Sequence, residues 1–176
     1  MSIKVITPAS NILTLTQMRL HLRLIGDPHP EDPLLVASLA AAVQWAEHYT
    51  GRSIGVQTLE LALDAFPVGP VALPQGPALS ITSIKYLDSA GVEQTLSASA
   101  YSLDDYGMQN RAIGVAEWPV AGQFSNAVKI RYQAGAVFPV VQAALLLTVA
   151  ELFDNREQAN LSTGVRALLD SVKTYA

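Results

Sequence analysis

The sequence predicts an α+β protein: a helical bundle, with two long helices plus short N- and C-terminal helices, and an inserted antiparallel β domain. Three observations carry this expectation. Apolar residues recur at helical spacing before residue 53 and after residue 137. Between them the period falls to two, with Leu59, Leu61 and Leu63 alternating against Glu60, Ala62 and Asp64. Clusters of Pro, Gly and Asp punctuate that central region. The expected organisation is residues 1–53 as N-terminal helices, 54–136 as the inserted β domain, and 137–176 as helices completing the bundle.

Taken in order, Thr14-Leu15-Thr16-Gln17 fits a capping box, in which a Thr hydroxyl and a Gln amide satisfy the free N–H groups of a helix start. Leu15, Met18 and Leu22 then share one helical face. GDPHPEDP, Gly26 to Pro33, interrupts regular structure, and Asp32-Pro33 reads as an N-cap followed by proline at the first helical position. The next helix is expected to bury Leu35, Leu39, Val43 and Ala46, and Gly51 stands where a left-handed residue would stop it. FPVGPVALPQGP, Phe66 to Pro77, reads as an extended, loop-like connection, because proline lacks the N–H that a sheet ladder needs. ITSIKYL, a DSAG turn at Asp88 to Gly91, and VEQTL form a hairpin pattern. Short strands are expected around Tyr101–Leu103, Ala112–Val115 and Ala127–Tyr132, with a linker from Ala134 to Phe138. A helix starting at Pro139 or Val140 carries Val141, Ala144, Leu145, Thr148 and Leu152 and is apolar almost all round, as for a helix packed on several sides. Val165, Leu168, Leu169 and Val172 mark a last helix too short to stand alone, so it must dock.

Composition narrows the function classes. Half of the 176 residues are apolar and 15% are charged, enough to bury a core. The mean hydropathy of +0.27 fits either an alanine-rich core or apolar surface covered by neighbouring subunits. The net charge is −4 and no basic run occurs, which argues against tight, salt-sensitive nucleic-acid binding. Glu60, Asp64, Asp88, Glu93, Asp104 and Asp105 face the single Lys85 across residues 53–110. Without cysteine there is no disulfide, thiolate nucleophile or Cys-ligated metal. MSIKVITPASNIL does not read as a signal peptide, and the longest apolar helix is too short for a bilayer, so a cytoplasmic product is expected.

Catalytic constellations are sparse. His21, His29 and His48 show no metal-ligand spacing, and neighbours such as Glu47 and His48 point about 100° apart on a helix. No G-x-S-x-G or glycine-rich phosphate loop occurs. Asp104-Asp105 reads as a solvated acid pair or a cation site, and Glu117-Trp118-Pro119 as a loop anchor or a ligand-stacking site. No enzyme activity, cofactor or metal is therefore expected. The alternative is a small hydrolase or ligand-binding protein with its site near His48, Asp104, Asp105 or Glu117.

Two helix ends echo each other: AEHYTGR, Ala46 to Arg52, and AELFDNR, Ala150 to Arg156. Gly51 and Asn155 are both suited to a left-handed stop, with Tyr49 and Phe153 as seals. Arg52 and Arg156 can turn back to the last carbonyls or, as planar donor forks, meet a neighbouring subunit. Both readings stay open on sequence alone.

TLTQMRLHLRL, DPLLVASLAAAVQWAEHYTGR, FPVGPVALPQGPALSITSIKYLDSAGVEQTL, AVKIRYQAG and VVQAALLLTVAELFDNRE follow one another over nearly the whole chain. That succession resembles the head–tail connector (adaptor) proteins of long-tailed bacteriophages and prophages. EHYTGR, the proline-rich entry to SITSIKYLD, and ELFDNRE carry most of the likeness. The resemblance implies a structural protein of the virion head–tail junction, assembled in the host cytoplasm. It implies a homo-oligomeric ring, typically of twelve subunits, beneath the portal protein. The ring extends the channel through which DNA passes without tight binding, and it docks the next head-completion or tail component. A tail-completion or stopper protein is the alternative within the same class. Relatives reach toward the portal with their C-terminal segment. Here Lys173 to Ala176 follow the last helix, so docking falls either to that tail or to the face of Val165, Leu168, Leu169 and Val172. Gln17-Met18-Arg19 stands where relatives commonly carry an acidic residue, Ala and Lys.

Overall fold

A computed structural model describes residues 1–107, 109–155 and 162–174. The chain forms two compact units, one from Met1–Ser10 with Gly55–Ala136, the other from Asn11–Ile54 with Val137–Ala176.

The first unit is built of strands: β1 (Ser2–Thr7), β2 (Gln57–Leu63), β3 (Val71–Ala72), β4 (Ala78–Leu87), β5 (Glu93–Thr95), β6 (Tyr101–Asp104), β7 (Arg111–Gly114) and β8 (Val128–Ala134). One sheet has the order β1-β2-β8-β4-β5 and the other β3-β7-β6, and every pairing is antiparallel. Alternation in β2 and β8 sets the register. Leu61 lies opposite Ile130, which lies opposite Ile84, and all three are fully buried. One residue along, on the other face, the Arg131 guanidinium donates to Glu60 at 2.6 Å, a cross-strand ion pair. Register shifts after Ala78 and after Ile81 bend β4 over this core.

Two expectations are corrected here. Residues 1–53 were expected to contribute helices only, yet Ser2–Thr7 pairs along β2 from Ser2↔Ala62 to Thr7↔Thr58. It is an edge strand with mostly exposed side chains, so no alternation marks it. The stretch from Phe66 to Pro77 was expected to be loop throughout, yet Val71 and Ala72 pair with Ala112 and Arg111. Pro70 and Pro74 flank the two paired residues without occupying them, and Val71 drives the pairing by burying its side chain. Buried Asn110 holds the rest of the segment. Its carbonyl accepts the Leu73 N–H at 2.8 Å and its side-chain oxygen accepts the Ala78 N–H at 2.7 Å. The Tyr132 hydroxyl donates to the Pro74 carbonyl at 2.7 Å, and burial pushes the phenol pKa above its ordinary range.

The second unit contains α1 (Leu15–His21), α2 (Asp32–Thr50), α3 (Pro139–Asp154) and α4 (Thr163–Asp170). The Thr14 capping box forms: the Thr14 hydroxyl accepts the Gln17 N–H at 3.2 Å, and the Gln17 side chain accepts the Thr14 N–H at 2.8 Å. α2 departs from its expected start and face. Glu31 is the N-cap and Asp32 is already helical, with its carboxylate on Arg19 rather than on the first-turn N–H groups. Its buried line runs through Leu35, Ser38, Ala42 and Ala46, while Leu39 and Val43 are half-buried beside it. Small residues on that line let α3 approach closely with Val141, Ala144, Leu145, Thr148 and Val149. The Thr148 hydroxyl satisfies itself on the Ala144 carbonyl at 2.8 Å. α4 packs on α3 and α2 through Val165 and Leu169. Among the described residues no helix is long and apolar enough to cross a membrane.

Candidate functional site

The two similar helix ends are built differently. Gly51 is left-handed, at φ 68° and ψ 17°, and its N–H bonds the Glu47 carbonyl. Asn155 has φ −118° and ψ 75°, so the expected left-handed stop is absent there. The AEHYTGR end is also tied down by its surroundings. The Glu47 carboxylate accepts the Ile54 N–H at 2.8 Å. The Tyr49 hydroxyl donates to Asp170 at 2.7 Å, and the Lys173 ammonium sits 4.3 Å from the centre of the Tyr49 ring. The Thr174 N–H bonds the Thr50 carbonyl at 2.9 Å, so the chain after α4 docks on the end of α2. Gly51→Ala is expected to cost about 1 kcal/mol, since a Cβ at positive φ is strained. Asn155→Gly should move the melting temperature far less, because no positive φ needs relief; a pair of calorimetric melts checks the contrast.

Arg52 follows this end. It is half-buried, and among the described residues its buried Nε has no hydrogen-bond partner, nor has the Ser53 hydroxyl. A buried donor left unpaired within the chain is costly, and such groups are rare in native proteins. Arg156, its expected counterpart, lies outside the described residues. Of the four apolar residues expected to offer a docking face, Val165 and Leu169 are fully buried inside the helical unit, while Leu168 and Val172 keep part of their surface. Helical periodicity identified the face but not its burial within the subunit.

Sequence reasoning missed the strongest polar feature, around Arg19. This guanidinium is buried and forks onto Asp32, with Nε–Oδ1 at 2.7 Å and Nη2–Oδ2 at 2.5 Å. Its Nη1 reaches Asp27 at 2.7 Å. Asp32 also accepts the His29 N–H at 3.0 Å. The Arg19 hydrogen bonds hold the Asp32 carboxyl below the usual carboxylate range, and the two carboxylates push Arg19 further up. The α1–α2 connection is thereby tied to α1 at its middle, through Asp27, and at the start of α2, through Asp32. The only available sequence sign was an Arg thirteen positions before an acid, which has no characteristic spacing.

On the β unit, an open groove of about 680 Å³ runs between the segments 65–70 and 113–121. Trp118 stacks on Phe66 at 5.0 Å between centroids, and Phe66 meets Tyr86 edge-on at 5.9 Å. The Trp118 indole N–H donates to the Gly69 carbonyl at 2.7 Å, so Trp118 anchors the loop. Val68 and Val120 stand fully in solvent at the rim. The residues of the catalytic alternative are placed as follows. His48 is exposed in the last turn of α2. The Asp104 carboxylate accepts the Tyr106 N–H at 3.3 Å, Asp105 is exposed, and exposed Glu117 lines the groove. Among the described residues no three His, Asp or Glu side chains gather as a metal site.

No family model matches the chain, and no curated protein matches its sequence. Solved structures do match it. A chain in the virion of a native gene transfer agent particle is 26% identical with a TM-score of 0.85, and a chain in the neck of the empty particle, computed with C6 symmetry, is 26% identical with a TM-score of 0.86. A chain in the neck of the native particle, computed with C12 symmetry, shares the fold at 23% identity and a TM-score of 0.81. Each alignment covers 100% of this chain and 97% of the other. From end to end, then, this α+β fold is similar to that of chains in the neck of a phage-like particle.

Proposed function

We propose that the chain is a structural, non-enzymatic component of the neck of a phage-like particle, and that it acts there as a head–tail connector. The full-length likeness to gene transfer agent neck chains carries this reading. The six-fold symmetry of that neck supports a homo-oligomeric ring, and a ring of twelve is compatible with it. In this role the chain sits under the portal protein, continues the DNA channel, and docks the next head-completion or tail component. The acidic composition supports a conduit that does not hold DNA, because phosphate contacts from a basic lining would retard transit. The accessible part of the half-buried Arg52 guanidinium supports a role as a donor toward a neighbouring subunit or the portal, with the accessible parts of Leu168 and Val172 as further contacts on the helical unit.

Removing the gene from a particle-producing cell tests the reading. Electron micrographs should show heads and tails that fail to join, and adding back the wild-type chain should restore joined particles. Joined particles in normal number without the chain would overturn it.

A further inference from the structure

We infer that the groove on the β unit receives the α1–α2 loop of a second copy of this chain, with Ile25 seated against the Phe66–Trp118 stack and Arg23 paired with Glu117. The inference deepens the ring reading above and rests on it.

The loop is built to present an apolar side chain. Ile25 is 94% exposed and Leu20 79% exposed, both beside the end of α1. A single exposed aliphatic is ordinary on a protein surface, but this one sits on a rigid base. Arg19 fastens Asp27 on the far side of Ile25 and Asp32 at the start of α2. The Leu24 N–H bonds the Arg19 carbonyl at 2.9 Å, and Arg23 is held at φ 57°, a conformation L-residues avoid. Order imposed before contact lowers the entropic cost of making it.

The groove is complementary in three respects. Its volume of about 680 Å³ is ample for a branched aliphatic side chain and its neighbours. Its floor is immobilised by the Phe66–Trp118 stack and the Trp118–Gly69 hydrogen bond, and Val68 and Val120 extend its apolar rim. Glu117 is the one charged residue among those lining it. Arg23 lies two positions from Ile25, and neither Arg23 nor Glu117 forms an ion pair among the described residues. Loop and groove are different surfaces, so their contact is heterologous. It passes from copy to copy in one direction and closes when the rotation allows, as a ring requires.

The native chain has no cysteine, so single substitutions give clean probes in the full-length protein. Ile25→Cys protein mixed with Val120→Cys protein and then oxidised should form the mixed disulfide. The yield should be about tenfold above that of a Val36→Cys and Val120→Cys mixture, Val36 being exposed on α2. Adding Arg23→Glu to the first protein, or Glu117→Arg to the second, should each lower the yield about tenfold, and both together should restore it. Melting temperatures equal to wild type for all variants confirm that the fold is intact. Yields no higher than the Val36 control, or a charge swap that restores nothing, overturn the inference. If particles still fail to join without the chain while this cross-link is absent, the contact falls and the neck reading stands. If the cross-link forms but heads and tails join without the chain, the neck reading falls and the contact between copies stands.

Discussion

Ile130→Ala should destabilise the β unit by about 2–5 kcal/mol. Ile130 is fully buried in β8, the middle strand of the five, with Leu61 on one side and Ile84 on the other. Truncation removes apolar area and leaves a cavity walled by two neighbouring strands that cannot collapse without breaking their register. Ile130→Val should cost about 0.5–1.5 kcal/mol, because most of the volume remains. Urea titrations of the three proteins check the order. An equal loss from the Val and Ala variants would show that the centre of the sheet repacks freely.

Arg19→Ala should cause the second large loss, and the loss should depend on pH. Without the guanidinium, Asp32 keeps its charge in a site where its side chain is only 15% exposed, with the His29 N–H as its remaining partner. In the wild type the Arg19 bonds hold the Asp32 carboxyl below its ordinary value of 3.8. A carboxylate with a depressed folded pKa stabilises the fold above its unfolded value, near pH 4, and that contribution fades as the pH falls through the folded value. Arg19→Ala should therefore be clearly weaker than wild type at pH 7, with the difference shrinking below pH 4. Asp27→Asn should lose much less, since the Asp27 side chain is 82% exposed. Thermal melts across pH 2.5 to 7 measure all three, and a gap between wild type and Arg19→Ala that stays constant with pH would refute the assignment. The variant should also weaken the loop–groove cross-link, because it loosens the base beneath Ile25.

The parts of this fold that sequence announces are those whose cause is local. The Thr14–Gln17 capping box, the left-handed Gly51, and the alternation of β2 and β8 all involve residues within a few positions of one another. The features that escaped it depend on distant partners. β1 is an edge strand whose pattern is erased by exposure on both faces, and it is recognisable only from its register with β2. β3 occupies two residues between prolines and exists because Ala112 and Arg111 lie opposite. Asn155 has the right residue type for a left-handed stop, yet its backbone does not take that conformation. At the candidate surfaces, residue type singled out Arg52, whose Nε is buried and has no hydrogen-bond partner among the described residues. Periodicity singled out Val165 and Leu169, where the same pattern meant packing within the subunit.

The position of β8 in the five-stranded sheet also bears on how the molecule comes to be. β8 is the last strand of that sheet to leave the ribosome, yet it is the one that joins β2 to β4. Until residue 134 has emerged, the β1–β2 ribbon and the β4–β5 hairpin have no partner strand between them. Closure then requires contacts between residues as far apart as Leu61 and Ile130, which places folding toward the slow, millisecond-to-second end for domains of this size. During that interval two unpaired strand edges rich in Leu and Ile are open to other nascent chains, so the yield of soluble protein should depend on synthesis rate and temperature more than its native stability would imply.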